Sequence, residues 1–177
     1  MRGLIEDHII IFAPKTILYE ICKEVRSNTN RAICYINSEN PKQEWHRVKL
    51  HFTNCFYLQG DYLNEKELKR SNVQKAYYVM IFANPTDDYT TYYDNESLLL
   101  INSLNSINET NIKNGLEPVP FVFELTNPEM MKFVRKRTQK VFKDLPYIYW
   151  PDYVSGNAMI SQYIEDLPAA QPKGTDT

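Results

Sequence analysis

The fold is decided near the amino terminus by residues 8–25, which read HIIIFAPKTILYEICKEV. The first six of these residues form a continuous apolar run rich in β-branched side chains, which is typical of a strand buried on both faces of a parallel sheet. Pro14 ends the run, and from Ile17 onward the apolar residues recur at helical spacing with charged residues between them. The stretch therefore predicts a buried strand, a short turn and an amphipathic helix.

The same strand-then-helix pattern recurs along the chain. The predicted strands cover residues 8–13, 31–37, 55–58, 77–83 and 119–125, and the last long helix between them is predicted over residues 94–107. Asn64 is expected to cap an earlier helix, with Glu67 reaching back to it in a capping box. Because the connections are too long for hairpins, we predict an α/β fold. Its expected form is a Rossmann-like, doubly wound parallel sheet of about five to six strands with helices on both faces.

Length and charge exclude several classes of protein. The chain has 177 residues, with 20 Lys and Arg against 22 Asp and Glu, so its net charge is −2. A nucleic-acid or membrane-surface binder is expected to carry a basic face, so this balance argues against both. No window of about 20 uninterrupted apolar residues is present, so we expect no membrane span within the sequence. The amino terminus lacks a signal segment, which favours a cytosolic location.

The alternation of strands and helices stops after about residue 137. We therefore divide the chain into a Rossmann-like core lobe over residues 1–137, a linker with an aromatic segment and an interface helix over 138–167, and a tail over 168–177 that is disordered by composition. Two aromatic residues and one amphipathic helix are candidates either for the domain's own core or for contact with a partner. These residues are Tyr149, Trp150, Met159, Ile160, Tyr163 and Ile164.

The three cysteines do not form a recognisable site. Cys22, Cys34 and Cys55 are odd in number and contain no C-x-x-C pair. All three lie in apolar helical or strand-like patterns, so we interpret them as small buried hydrophobic residues.

The turn after the first strand argues against a dinucleotide. A Rossmann site needs G-x-G-x-x-G at this turn, whereas none of the five glycines lies there and Pro14 removes one backbone donor. Glu39 is at the position of the usual ribose-binding acid, but without the glycines we interpret it as a solvated turn residue. We therefore disfavour NAD as a cofactor. No nucleophile motif or acid–base pair is apparent, so we do not expect an enzyme.

Four acidic residues follow the fourth predicted strand. Asp87, Asp88, Asp94 and Glu96 lie within ten residues, and oxygen ligands of this kind can hold a divalent cation. The alternative is that the first two are solvated loop residues and the last two favour the positive end of the following helix. The sequence leaves both interpretations open.

Several segments resemble the RCK domains that regulate potassium conductance in Slo-type channels. The resemblance is carried by residues 56–64 (FYLQGDYLN) with Glu67 and Leu68, by 87–101, and by the opening strand. Residues 120–125 and 150–158 also resemble the family, so the similarity spans residues 8–167. It is strongest to the second of two tandem RCK domains. The resemblance implies a cytoplasmic gating-ring domain that couples ligand binding and ring assembly to pore opening, with Ca²⁺ or another cation as the possible ligand.

The resemblance also implies partners for this chain, and the sequence departs from the family at one site. The partners would be other RCK domains of the same channel, in a dimer or tetrameric ring. Contact with a membrane would occur only through a pore that we expect to precede residue 1, so the chain is expected to be an incomplete domain. The family's acidic calcium bowl corresponds here to a basic interval around residues 132–143, so we expect that site to be absent. The alternatives are a degenerate Rossmann-type nucleotide-binding enzyme and a ligand-free assembly domain.

Overall fold

The structure, a computed structural model, describes residues 5–83 and 90–125, together with Met130 and Val134. Within these residues five parallel strands form one sheet in the order β3-β2-β1-β4-β5. The strands are β1 (Ile9–Phe12), β2 (Ile33–Asn37), β3 (Cys55–Gln59), β4 (Tyr78–Ile81) and β5 (Phe121–Phe123). The helices are α1 (Leu18–Asn28), α2 (Lys42–His51), α3 (Glu65–Arg70) and α4 (Thr90–Lys113), with short 3₁₀ helices at Lys15–Ile17 and Val73–Lys75.

Helices cover both faces of the sheet, as the strand patterns predict. On one face Ile9 and Ile11 of β1 pack with α1 and α2, and on the other Ile10 and Phe12 pack with α3 and α4. Every residue of β1 is buried, because it is the central strand and side chains from both of its faces enter a core. The predicted α/β fold and its doubly wound arrangement are therefore confirmed.

The sheet has its switch point between β1 and β4. From β1 the chain proceeds outward through β2 to β3, and then returns to the other side of β1 to form β4 and β5. The carboxyl ends of β1 and β4 therefore diverge into connections on opposite faces, which is where open α/β sheets bind ligands.

Helix α4 is longer than the sequence analysis predicts. It extends from Thr90 to Lys113, although the apolar pattern predicts a helix over residues 94–107 only. The extension at its carboxyl end arises because the final turns bury asparagines rather than hydrocarbon side chains. Asn108 is 1% exposed, and its amide makes two hydrogen bonds to the backbone of Val119. Apolar periodicity carries no signal for such a contact.

Strands β5 and β2 are also shorter than the sequence analysis predicts. Strand β5 is restricted to residues 121–123, because the backbone N–H and C=O of Val119 bond to the Asn108 side chain instead of to a neighbouring strand. Strand β2 begins at Ile33, because the backbone N–H of Arg31 donates to the Thr29 hydroxyl in a local turn.

The helix α3 cap forms in part as predicted. The Asn64 side chain accepts a hydrogen bond from the Lys66 backbone N–H at 3.0 Å. The reciprocal half of the capping box was predicted wrongly. The Glu67 carboxylate bonds to Arg70, and the backbone N–H of Asn64 donates to the carbonyl of Asp61.

Among the described residues, no helix combines the length and the apolar composition needed to cross a membrane. The boundaries proposed at residues 137 and 167 lie outside the part of the chain that the structure describes.

Candidate functional site

An open cleft lies at the switch point, where β1 and β4 end. It combines apolar side chains from both strands with a few polar groups. Its lining consists of Phe12, Ala13, Pro14, Asn37, Tyr62, Ile81, Phe82, Glu96, Ser97 and Leu100. Within the described residues this lining contains one charged side chain, Glu96, and no basic side chain, so the charge of the cleft wall is negative.

The first βα turn closes one side of this cleft. The carbonyl of Ala13 accepts hydrogen bonds from the Tyr35 hydroxyl at 3.0 Å and from Asn37 Nδ2 at 3.2 Å. Asn37 Nδ2 also donates to the Tyr35 hydroxyl oxygen at 2.8 Å. Burial raises the pKa of Tyr35, so its hydroxyl stays protonated and remains a donor. The turn is thus held by side chains through a backbone carbonyl.

Pro14 completes this turn in an extended conformation, with φ −56° and ψ 141°, ahead of the short 3₁₀ helix. A phosphate-binding turn instead presents free backbone N–H groups at a helix start. Pro14 has no N–H to present.

Glu39 has its own partner at the end of β2. Lys15 Nζ lies 2.6 Å from Glu39 Oε2, and the hydrogen bond and charge of Lys15 lower the pKa of Glu39. Both side chains are largely exposed, so the pair is easily rearranged. In this arrangement the acid at the ribose-binding position is paired with a residue of the first turn.

The anionic wall of the cleft is built by Glu96 and Tyr62. The Tyr62 hydroxyl donates to Glu96 Oε2 at 2.9 Å, and the Tyr62 ring contacts Phe12 edge-on at a centroid distance of 5.5 Å. Burial raises the pKa of Tyr62, and the hydrogen bond to Glu96 raises it further. Tyr62 therefore stays protonated, donates a hydrogen bond to the Glu96 carboxylate and orients it within the cleft.

A second partly buried carboxyl group lies where β4 and β5 end. Glu124 Oε2 accepts a hydrogen bond from the Ala83 backbone N–H at 3.0 Å. Burial raises the pKa of Glu124, and the charge of the fully buried Asp94 adds to this effect. Glu124 thus anchors the end of β4 at the start of the connection that carries Asp87 and Asp88.

The four acidic residues proposed as cation ligands fall in different places. Asp87 and Asp88 lie outside the described residues. Asp94 and Glu96 are two positions apart on α4, which places them about 200° apart around the helix. Asp94 interacts with Glu124, whereas Glu96 bonds to Tyr62.

No group of three or more His, Cys, Asp or Glu side chains suited to a metal ion occurs within residues 5–83 and 90–125. The cation site stays a prediction. The six candidate interface residues, Tyr149, Trp150, Met159, Ile160, Tyr163 and Ile164, also lie outside the described residues.

Two residues of this region were missed by the sequence analysis as members of a site. Tyr62 follows a predicted strand only after a turn, and its contact with Glu96 spans 34 positions. Glu124 directly follows a buried strand, and an acid at such a position is a usable signal, because the carboxyl ends of parallel strands form the ligand-binding edge.

These features define a Rossmann-like α/β domain whose switch-point edge lacks a dinucleotide cradle and has an acidic wall. Residues 4–114 match the family model described as the calcium-activated potassium channel slowpoke-like RCK domain. The chain belongs to this family, which confirms the resemblance drawn from the sequence.

Solved structures with the same fold include a gating ring and an RCK domain. The human SLO3 gating ring matches with a TM-score of 0.58 and 12% identity, over 80% of this chain and 24% of that chain. The GsuK RCK domain matches with a TM-score of 0.54 and 14% identity, over 77% of this chain and 25% of that chain. The chain therefore spans about a quarter of the length of these two proteins.

A shorter structure matches over more of its length. The TrkA-N domain of the inner membrane protein ybaL from Escherichia coli has a TM-score of 0.53 and 12% identity, over 93% of this chain and 98% of that chain. At these identities the matches show the shared fold. A search of curated proteins found no match for the chain.

Proposed function

We propose that this chain is a non-catalytic regulatory domain of a potassium channel, acting on the cytoplasmic side as part of a ring of RCK domains. The observation that carries the proposal is the family match over residues 4–114, which covers most of the sheet described above. Ligand binding to one state of such a ring would shift its equilibrium toward that state and so change the conformation of the pore.

The ligand that we propose is a cation. In the part of the chain that the structure describes, the lining of the switch-point cleft carries Glu96 and no basic side chain, so its charge attracts cations and repels phosphates. We propose further oxygen ligands from Asp87 and Asp88, which lie on the connection after β4, and from Asp94 in the first turns of α4. We do not propose a calcium-bowl site, because the interval in which the family carries it is basic here.

A nucleotide ligand is the first alternative. The GsuK channel has been described bound to NAD and bound to ADP. In this chain, however, Pro14 removes a backbone donor from the first turn, and Lys15 pairs with the acid Glu39. These two features count against the nucleotide-binding enzyme. A ligand-free assembly domain is the second alternative.

A cation titration distinguishes these functions. We expect Ca²⁺, Na⁺ or Mg²⁺ to raise the melting temperature of the chain, while NAD and ADP leave it unchanged. Glu96→Gln removes the charge of the cleft wall and should weaken that shift. The matched control is Glu65→Gln, because Glu65 is exposed on α3, where Lys69 is its partner.

Each alternative has its own outcome. A shift with NAD or ADP would support the nucleotide-binding enzyme and overturn the cation proposal. No shift with any ligand, combined with a dimer or tetramer in light scattering, would support the assembly domain.

Ring assembly is tested separately. We propose that Tyr149, Trp150, Met159, Ile160, Tyr163 and Ile164 contribute to contacts between RCK domains. Tyr163→Ser and Ile164→Ser are expected to shift the chain toward monomer in light scattering. An unchanged mass for both variants would contradict this assignment.

A further inference from the structure

Two cysteine thiols from distant parts of the chain meet beside an arginine. Cys22 lies in the middle of α1, and Cys55 is the first residue of the edge strand β3. Their side chains hydrogen-bond to each other. Cys22 belongs to the core cluster on the α1 face of the sheet, and Cys55 packs against that cluster. Cys22 is completely buried, whereas Cys55 is half-buried and reachable from solvent.

Arg26 places a positive charge on this pair. It follows Cys22 by four positions on α1, so both side chains point to the same side of the helix. Arg26 Nη2 lies 3.7 Å from Cys55 Sγ and 2.9 Å from the carbonyl of Asn54. Its Nη1 donates to the carbonyls of Thr29 and Arg31 at 3.1 and 2.5 Å. These backbone contacts hold the guanidinium in place against the sulfur.

The environment of Cys55 favours its thiolate. The hydrogen bond from Cys22 lowers the pKa of Cys55, and the charge and hydrogen bond of Arg26 lower it further, against the opposing effect of burial. The titratable and charged groups that act on this thiol are Cys22 and Arg26, both from α1. Cys34 differs, because burial raises its pKa to about 12. Thiolate character and access together decide which cysteine reacts.

We propose that Cys22 and Cys55 form a peroxide-sensitive dithiol in which Cys55 is the reactive thiol and Cys22 is the resolving thiol. This modification site is on the α1 face of the sheet, at the amino-terminal end of β3, and is separate from the switch-point cleft. The inference does not depend on the proposed channel function.

The chemistry balances with hydrogen peroxide as the oxidant. The Cys55 thiolate attacks one peroxide oxygen, so an S–O bond forms, the O–O bond breaks, and hydroxide leaves as water after protonation. Cys22 then attacks the Cys55 sulfenic sulfur, so an S–S bond forms and the S–O bond breaks. The proton of Cys22 leaves with that oxygen as a second water. Two thiols are oxidised, one peroxide is reduced, and an external thiol can reverse the reaction by disulfide exchange.

The test is oxidation of the full 177-residue chain with a small excess of hydrogen peroxide. We expect two of the three thiols to disappear in a thiol titration, with a mass loss of about 2 Da and a Cys22–Cys55 linkage in a peptide map. Dithiothreitol should restore all three thiols. The reaction rate should be half-maximal at a pH below the ordinary cysteine pKa of about 8.5.

Three variants assign the roles. Cys55→Ser should abolish the fast reaction. Cys22→Ser keeps a hydrogen-bond donor for the Cys55 sulfur but cannot form a disulfide, so it should leave a sulfenic acid on Cys55 that dimedone traps. Cys34→Ser is the matched control, because Cys34 is buried on the opposite face of the sheet, and it should react like the parent chain. Circular dichroism before oxidation checks that each variant is folded.

Two outcomes would overturn the proposal. The first is loss of Cys34 at the same rate as Cys55, which would mean that oxidation follows unfolding. The second is an oxidised parent chain that carries only sulfenic or sulfinic acid, which would mean that Cys22 does not resolve Cys55.

Discussion

Asn108 offers the sharpest test of how the end of α4 is stabilised. Its Nδ2 donates to the Val119 carbonyl at 2.9 Å, and its Oδ1 accepts from the Val119 N–H at 2.8 Å. Asn108 is 1% exposed and Val119 is 5% exposed, so water cannot replace either bond. Asn108→Ala would leave two buried backbone groups unsatisfied.

The magnitude follows from these two groups. Each unsatisfied buried group costs about 1–3 kcal/mol, which gives a loss of about 2–6 kcal/mol. Alanine is the better helix former by about 0.6 kcal/mol, and this gain opposes the loss. We therefore expect Asn108→Ala to lower the free energy of unfolding by about 1.4–5.4 kcal/mol.

The assay is urea unfolding followed by circular dichroism, with an unchanged m value as evidence that the unfolding transition is the same. The matched control is Asn95→Ala on the exposed side of the same helix, which should change stability by at most about 0.5 kcal/mol. Equal losses for the two variants, or a loss below about 1 kcal/mol for Asn108→Ala, would refute the reasoning.

Two further predictions concern a helix end and a partly buried acid. Gly115 follows α4 with φ 72°, and the Leu116 N–H bonds to the Asn111 carbonyl. Because a residue with a Cβ is strained at this φ, Gly115→Ala should lower the free energy of unfolding by about 1–2 kcal/mol, measured in urea. Gly60→Ala is the comparison: its new Cβ would meet only the movable carboxylate of Glu67, so a smaller loss is expected, and a larger one would contradict the argument from φ. Burial raises the pKa of Glu124, so the folded protein binds a proton at this residue more tightly than the unfolded protein does. The contribution of Glu124 to stability is therefore lost as pH rises from its unfolded pKa of about 4.3 through its folded pKa. Glu124→Gln keeps the acceptor for the Ala83 N–H. Its free energy of unfolding, measured in urea, should therefore rise relative to that of the parent between about pH 4 and pH 7. The same difference between variant and parent at both pH values would count against this mechanism.

The fold was largely predictable because its signals are local. The continuous apolar run of β1 reflects a strand that is buried on both faces, and the spacing of α1 reflects the helical period of 3.6. Each signal is read within one segment. The strand-then-helix order then permits few topologies, because crossover connections between parallel strands are right-handed. The boundaries of α4 and β5 were wrong because a buried amide, Asn108, replaces apolar contacts there.

The candidate site was predictable only in part. The absence of glycine at the first turn is a sequence property, and the extended Pro14 there agrees with it. The partners of the site were not predictable, because Glu96 contacts Tyr62 across 34 positions and Lys15 contacts Glu39 across 24. Such contacts depend on strand register and helix rotation, which no local pattern encodes.

The sequence by itself determined the class of this protein: a doubly wound parallel sheet whose first turn contains Pro14 and none of the glycines of the dinucleotide-binding motif. The tertiary structure alone decided which side chains act together. Cys22, Arg26 and Cys55 are unremarkable in the sequence and become a thiol pair beside a guanidinium only when α1 packs on the edge of β3. The physical reason is that secondary structure follows from periodicity along one segment, whereas chemistry follows from distances between segments.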